Sequence, residues 1–362
     1  MMPISTGYEQ VIGQRTDDMF CTTATSNGVI TKSDKYGIEV TYDDGTVKSV
    51  PLGRRYGKSK GTTIPHDVIT DLKEGDRVTP GKAIAWNTGF FDKSVLYPDQ
   101  ASFKMGMLVT TAFLDGPDTI EDSSAISEEV SNALSTSITY PRSVIVNFDQ
   151  TILNAISENS HVEADSILCT IQDLASTNVG GYTDETIETL QMLADANPKA
   201  KHKGTVERID VVYNGNIEDM DETLQVLATT SDRRLSRELA MSSNTKPMLN
   251  TGKNPTPGKT GDGYRIDGEP LAKNQLAVIF NITKDDDSTI GDKAVFGHQL
   301  KTVIGRVMKG INRTVSGIPL GALFGATSAE NRIVESVKRI STGNTVLVLG
   351  TKHVVKMARN KV

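Results

Sequence analysis

The stretch from 291 to 305, GDKAVFGHQLKTVIG, holds two lysines eight residues apart, Lys293 and Lys301. His298 lies between them, and an acidic run, Asp285-Asp286-Asp287, lies just upstream. An ammonium group at a fixed position is a point charge for phosphate, and each desolvated contact of this kind contributes on the order of 1.5–3 kcal/mol. The two lysines can converge if the intervening Gly297 lets the chain turn. Taken alone they read more simply as surface residues, since lysine is seldom buried. Two further groups invite the same question. Glu121-Asp122 follow an apolar strand and a DGPD turn at 115–118; adjacent strand residues face opposite ways, so the two are not expected to chelate one ion together, and an acid pair at a helix entry is the plainer reading. RRYGKSKGTT at 54–63 is a basic, glycine-containing loop that either meets phosphates or is solvated.

Other chemistries find little support. The five histidines, at 66, 161, 202, 298 and 353, are scattered, and no G-x-S-x-G elbow occurs. Only two cysteines are present, Cys21 and Cys169, and neither CxxC nor HxxxH spacing offers a zinc site. NFDQT at 147–151 supplies one carboxylate where two-metal chemistry needs several. Gly258-Lys259-Thr260 imitates a phosphate-binding loop, but position 253 is Lys and no helix pattern follows.

Charge divides the chain. From Lys301 to Val362 there are eleven Lys and Arg against two acids, Glu330 and Glu335, a net +9, which leaves −15 for the rest of a chain of formal charge −6. A basic segment of this kind meets phosphates or an acidic partner, or is simply a solvated tail. No stretch reaches the roughly 18 apolar residues of a membrane span, and the first ten residues lack a signal-peptide layout, so a reducing cytosol is expected.

At 362 residues, two or three globular units are expected. IEVTYDDGTVKSV (38–50) reads as a hairpin, and LKEGDRVTPGKAIAW (72–86) and VEADSILCTI (162–171) read as hairpins of one barrel or sandwich. SSAISEEVSNALS (123–135) suggests a short helix and 183–198 a better one. GTVERIDVVYNG (204–215) is a strand running into a turn, and 217–243 a long amphipathic helix broken near Ser231. The Pro-, Gly- and Lys-rich segment 244–268 is a long loop, and QLAVIFNI (275–282) a buried strand.

Taken in order, LKEGDRVTPGKAIAW, FKMGMLVTTAFLDGPDTIEDSSAISEE and GDKAVFGHQLKTVIG resemble the C-terminal half of the β subunit of multisubunit DNA-directed RNA polymerases over about residues 20–340. The starting point within β resembles the split subunits of giant tailed bacteriophages. The resemblance implies an α+β fold of β-barrel and sandwich-hybrid modules with a helical insertion, part of a double-psi-barrel type active centre. Its expected segments are 1–110, 111–180, 181–268 with a flap-like arm, and 269–362 as active-centre module with a basic C-terminal segment. Lys293 and Lys301 fall on the family's two active-centre lysines, which reach phosphates of the RNA 3′ end and the incoming nucleotide. Glu121 and Asp122 match its Glu-Asp pair near the second metal, acting through water. Lys58 stands at a triphosphate-contacting arginine, His298 keeps the motif's histidine, and Arg332 falls on a triphosphate arginine. The motif's arginine is Gly297 here, and its asparagine and glycine are Leu300 and Thr302. Mg²⁺ is expected on a β′-like partner subunit, so the isolated chain should be inactive. The expected partners are β N-terminal-like and β′-like subunits, DNA template, RNA and nucleoside triphosphates, in the cytoplasm of the infected bacterium or packaged in the virion, and the family's C-terminal clamp is expected on another chain or missing. The alternatives are a noncatalytic phage structural or assembly protein, or a stand-alone nucleic-acid-binding module.

Overall fold

The computed structural model describes residues 8–59, 61–94, 97–104, 106–173, 197–240, 257–297, 300–331 and 335–359. The chain is mixed α+β and strand-rich, and it divides into two compact units built from separated stretches. The larger is Gln10–Ser102 with Ser137–Asp285; the smaller is Met1–Glu9, Phe103–Thr136 and Asp286–Val362. No helix among the described residues is long and apolar enough to cross a membrane.

The larger unit centres on a nine-stranded sheet whose main path runs Cys21–Thr23, Ala83–Asn87, Thr62–Ile69, Thr136–Asn147, Gln275–Asp286, Gly204–Asn214 and Ser160–Val162. Where the sequence predicts barrel and sandwich modules, the described residues form open sheets and none closes into a barrel. The 38–50 hairpin forms as expected, with Thr41 opposite Val47 and Gly45 at φ 82° in the turn. The other two expected hairpins do not close on themselves. Arg77–Val78 pairs with Gly28–Asp34 while Ala83–Asn87 joins Cys21–Thr23, and Ser160–Val162 pairs with Gly204–Asn214 while Thr170–Asp173 joins Gln150–Leu153. Alternation shows that a segment is extended; it does not name the partner strand.

The buried strand expected at 275–282 is present as Gln275–Asp286, with Leu276 to Thr283 all buried. Its apolar run is continuous because both faces are covered, one by Phe148 and Leu224, the other by Ile266 and Leu271. The helix Glu222–Ala240 runs unbroken through Ser231. Ser231 is buried, and its hydroxyl accepts the Val211 N–H at 3.1 Å, so a residue that reads as a break instead ties helix to strand. The 123–135 segment is a strand, Ser123–Ser127, before a helix, Glu128–Ala133, whose N-cap Ser127 accepts the Val130 N–H. Gly258-Lys259 form a short strand beside Gly204–Asn214, and the segment expected as a helix at 183–198 lies, but for its last two residues, outside the described residues.

A network of charges crosses this unit. Arg208 pairs with Asp210 at 2.6 Å and Glu238 at 2.8 Å, and Asp210 also accepts from Asn281 at 3.0 Å. Arg54 pairs with Asp67 at 2.8 Å and with Glu207, which accepts from Thr283 at 2.7 Å. Burial opposes the Arg208 charge, but Asp210 and Glu238 outweigh it and hold the guanidinium pKa above its ordinary value. Removing the cation leaves two carboxylates without it: Arg208→Ala is expected to lose about 3–5 kcal/mol in denaturant unfolding, and a loss below about 1 kcal/mol would show the network to be dispensable.

His66, only 6% exposed, stacks on Phe90 and meets Phe20 edge-on. The Asn87 amide is oriented by Gly89 N–H donating to its Oδ1 and by its own Nδ2 donating to the Met19 carbonyl. Nδ2 therefore also donates to His66 Nδ1 at 2.9 Å, which must be unprotonated. Burial lowers the His66 pKa from its ordinary value. The unfolded chain thus takes the proton first, and this contribution to stability, complete above the unfolded pKa of about 6.5, is lost as pH falls below it. His66→Gln should lose less Tm between pH 7.5 and 5.5 than the parent chain; equal losses would contradict the assignment.

Candidate functional site

The smaller unit carries a five-stranded mixed sheet in the order Thr111–Phe113, Ala322–Phe324, Ser123–Ser127, Leu300–Met308, Lys293–Phe296. Its last two strands form a hairpin in which Lys293 faces Val303 and Val295 faces Lys301. Directly opposed residues share a face, so Lys293, Val295, Lys301 and Val303 make one checkered patch with the lysines on a diagonal. All four are exposed, while Leu300, Thr302 and Ile304 between them are buried. Beneath, Ile304 packs with Ile126, Val130 and Ala322, and Leu300 with Phe324. Gly297, at φ 53°, begins the turn in the left-handed region.

Diagonal neighbours on a strand pair sit about 7–8 Å apart. At that distance two ammonium groups repel by about 0.5 kcal/mol in water and by about 2 kcal/mol at an effective dielectric of 20. Among the described residues neither has an ion-pair partner. The contrast with Arg306 on the same strand is direct, since it is held by Asp118 at 2.9 Å. Asp292, next to Lys293, gives its carboxylate to the Thr289 N–H at 2.9 Å. The diagonal therefore presents two cations whose mutual repulsion an anion between them would relieve.

The acidic pair is brought to the same sheet. Ser123–Ser127 runs parallel to Leu300–Met308, with Ser123 beside Val303. The Asp122 carbonyl accepts from the Val303 N–H at 2.8 Å and from Thr302 Oγ1 at 2.7 Å, which fixes it beside Lys301 in the chain. Glu121 takes a left-handed conformation, φ 53°, and its carbonyl accepts from Ser328 Oγ. Asp115 anchors the start of this loop by accepting from Thr327 N–H and Oγ1, and those bonds hold its carboxyl below the usual carboxylate range. No group of three or more His, Cys, Asp or Glu among the described residues is placed to hold a metal ion.

Comparison with protein-family models finds no match. Comparison with curated proteins finds none either.

Of the residues singled out from sequence, Lys293 and Lys301 lie in this sheet, and Glu121 and Asp122 immediately precede its strand Ser123–Ser127, where their main-chain carbonyls accept hydrogen bonds. Lys58 belongs to the larger unit, on Gly53–Ser59 opposite Thr63. His298 and Arg332 lie outside the described residues. Sequence reasoning missed Val295 and Val303, although the alternation of Lys293–Phe296 and Leu300–Ile304 places them on the lysine side. It also missed Gly305. A Cβ there would overlap Ser123 Oγ, whose bond to the Asp118 carbonyl at 2.9 Å holds the acidic loop against this strand. Gly305→Ala is expected to destabilise the chain by about 1–3 kcal/mol, and adding Ser123→Ala should recover part of that loss in a double-mutant cycle. Strictly additive losses would show that the overlap is not the cause.

Proposed function

We propose that the chain is the β-like, C-terminal part of a phage multisubunit DNA-directed RNA polymerase, supplying lysines to nucleotidyl transfer. The supporting observation is the lysine diagonal: Lys293 and Lys301 share one exposed face, neither has an ion-pair partner among the described residues, and the Glu121-Asp122 main chain is hydrogen-bonded beside them. It agrees with the order of the three sequence motifs.

In this reading the two ammonium groups bind non-bridging oxygens of the RNA 3′-terminal and incoming-nucleotide phosphates. Charge builds on these oxygens as the nucleotide adds, and a preorganised cation offsets it at no reorganisation cost, worth about 10²–10³ in rate. Their fixed spacing on a pleat orients both phosphates at once. Val295 and Val303 interleave with them and exclude water when a neighbouring chain closes over the patch, which strengthens both contacts. Glu121 and Asp122 act through water at the edge of the centre. Mg²⁺ held by a β′-like subunit supplies the Lewis acid when that subunit is present. The open sheets would be parts of the barrel and sandwich-hybrid modules of a double-psi-barrel active centre. Lys58, His298 and Arg332 are assigned to phosphate contacts, and the enzyme to the infected bacterial cytoplasm or the virion.

An assembly protein is the competing reading, favoured by a C-terminal helix, Glu335–Arg359, that stands largely uncovered. RNA extension on a DNA template separates the two. In the complex purified with its partners, Lys293→Ala or Lys301→Ala should keep template binding and slow nucleotide addition by about 10²–10³. Near-normal extension by both variants, or a complex with no RNA synthesis, would overturn the proposal.

A further inference from the structure

On the larger unit the rings of Tyr140 and His202 lie face to face, with centroids 3.9 Å apart and planes 12° from parallel. Tyr140 is half-buried on the strand Thr136–Asn147, whereas His202 is exposed, so the stack leaves one imidazole face to solvent. Arg142 stands two positions further along the strand and shares the face of Tyr140. Its Nε donates to the Lys199 carbonyl at 3.2 Å, which ties residues 199–203 to that face. This segment reads Lys-Ala-Lys-His-Lys and contains no acid. Ala200 is fully buried and anchors it, while the three lysines and His202 are exposed. The N–H groups of Ala200 and Lys201 donate to the Ser166 and Ala164 carbonyls at 2.9 and 2.8 Å, so the segment has a fixed course. Lys201 is held in the left-handed region, φ 64°, which glycine occupies more readily than lysine.

The carboxylates beside this segment are Glu163 and Asp165, set against Arg142, Lys199, Lys201 and Lys203. Glu163 is taken up by Lys203 at 2.8 Å and lies 3.6 Å from His161. Positive charge therefore prevails around the open imidazole face. An outward aromatic face attracts a planar group, and cations around it attract phosphates. A nucleic-acid strand with unpaired bases offers both at once, whereas the bases of a duplex are already stacked on one another. An acidic peptide would use the charges and leave the ring idle. A membrane or an apolar protein surface would call for exposed large apolar side chains, and among the described residues none lies between 121 and 225.

We infer that Tyr140, His202, Arg142, Lys199 and Lys201 form a docking surface for single-stranded nucleic acid, on which one base stacks against His202 and the flanking phosphates meet the cations. Tyr140 backs the imidazole and keeps its plane fixed, so little ordering remains to be done when the base arrives. The surface belongs to the larger unit and uses none of the residues assigned to nucleotidyl transfer. It stands apart from the polymerase reading, because it concerns what this face binds and not what reaction follows.

Fluorescence anisotropy of the isolated full chain with dT or U oligomers of about 16 nucleotides tests it. His202→Ala should weaken binding of the single strand by about tenfold and leave Tm and the binding of an equally long duplex unchanged, while His202→Phe should restore the affinity. Lys201→Gly removes a charge where glycine is at ease, so Tm should hold or rise while the slope of log affinity against log salt falls by about 0.7. Photocrosslinking with 5-iodouracil in the oligomer should label His202 or Tyr140, located by peptide sequencing. The inference is overturned if no strand binds, if His202→Ala binds as tightly as the parent chain, or if the crosslinks fall only elsewhere. It is overturned too if polyglutamate or phosphatidylglycerol vesicles displace the oligomer as well as unlabelled oligomer does. RNA synthesis is not the readout, so either reading can fail while the other stands.

Discussion

The register between Lys293–Phe296 and Leu300–Met308 is the constraint on which the candidate site depends. Because side chains alternate, one face of this hairpin carries Leu300, Thr302 and Ile304 into the core and the other carries the lysines and valines out. A slip of one residue would exchange the faces, burying Lys301 and exposing Leu300 and Ile304. Burying a lysine without a partner costs several kcal/mol, and each exposed aliphatic side chain forfeits about 1.5–3 kcal/mol more. The core thus fixes where the ammonium groups stand. No bond to the lysines themselves is needed.

The two units treat charge in different ways. In the larger one, Arg54 and Arg208 are enclosed by four carboxylates, each cation meeting two of them. The charges of such a network are balanced internally, although Arg54 Nε is buried without a hydrogen-bond partner. In the smaller one Arg306 is paired, but Lys301, five residues earlier on the same strand, and Lys293, on the adjoining strand, are not paired among the described residues. Two neighbouring cations without ion pairs raise each other's energy, and an anion placed between them would lower it.

Much of this was legible from sequence because it depends on local period. The 38–50 hairpin, the buried 275–282 strand and the strand at 204–215 each declare themselves through alternation or an unbroken apolar run. Strand pairing was not legible, since Arg77–Val78 and Ala83–Asn87 are adjacent in sequence and belong to different sheets. Ser231 misled for a related reason, as its value lies in an N–H contributed by Val211, twenty residues away. At the site, residue types and motif order drew attention to Lys293, Lys301, Glu121 and Asp122. The bond from Val303 N–H to the Asp122 carbonyl, which brings the two stretches side by side, joins residues 181 positions apart and leaves no local pattern.

The distribution of exposed apolar residues follows the same division between units. Of the twenty-five large apolar side chains that stand exposed among the described residues, nineteen belong to the smaller unit, though it holds roughly a third of the chain. Scattered exposure is ordinary on any surface, but concentration on one unit is the mark of a surface built to be covered. Val295 and Val303 belong to this set, so the face that presents the lysines is also one that gains by excluding water. Covering it raises the interaction of the two ammonium groups with an anion and, for the same dielectric reason, raises their mutual repulsion when no anion is present. Were a neighbouring chain to close over this face and an anion to bind it, each event would make the other more favourable, because both change the energy of the same two charges.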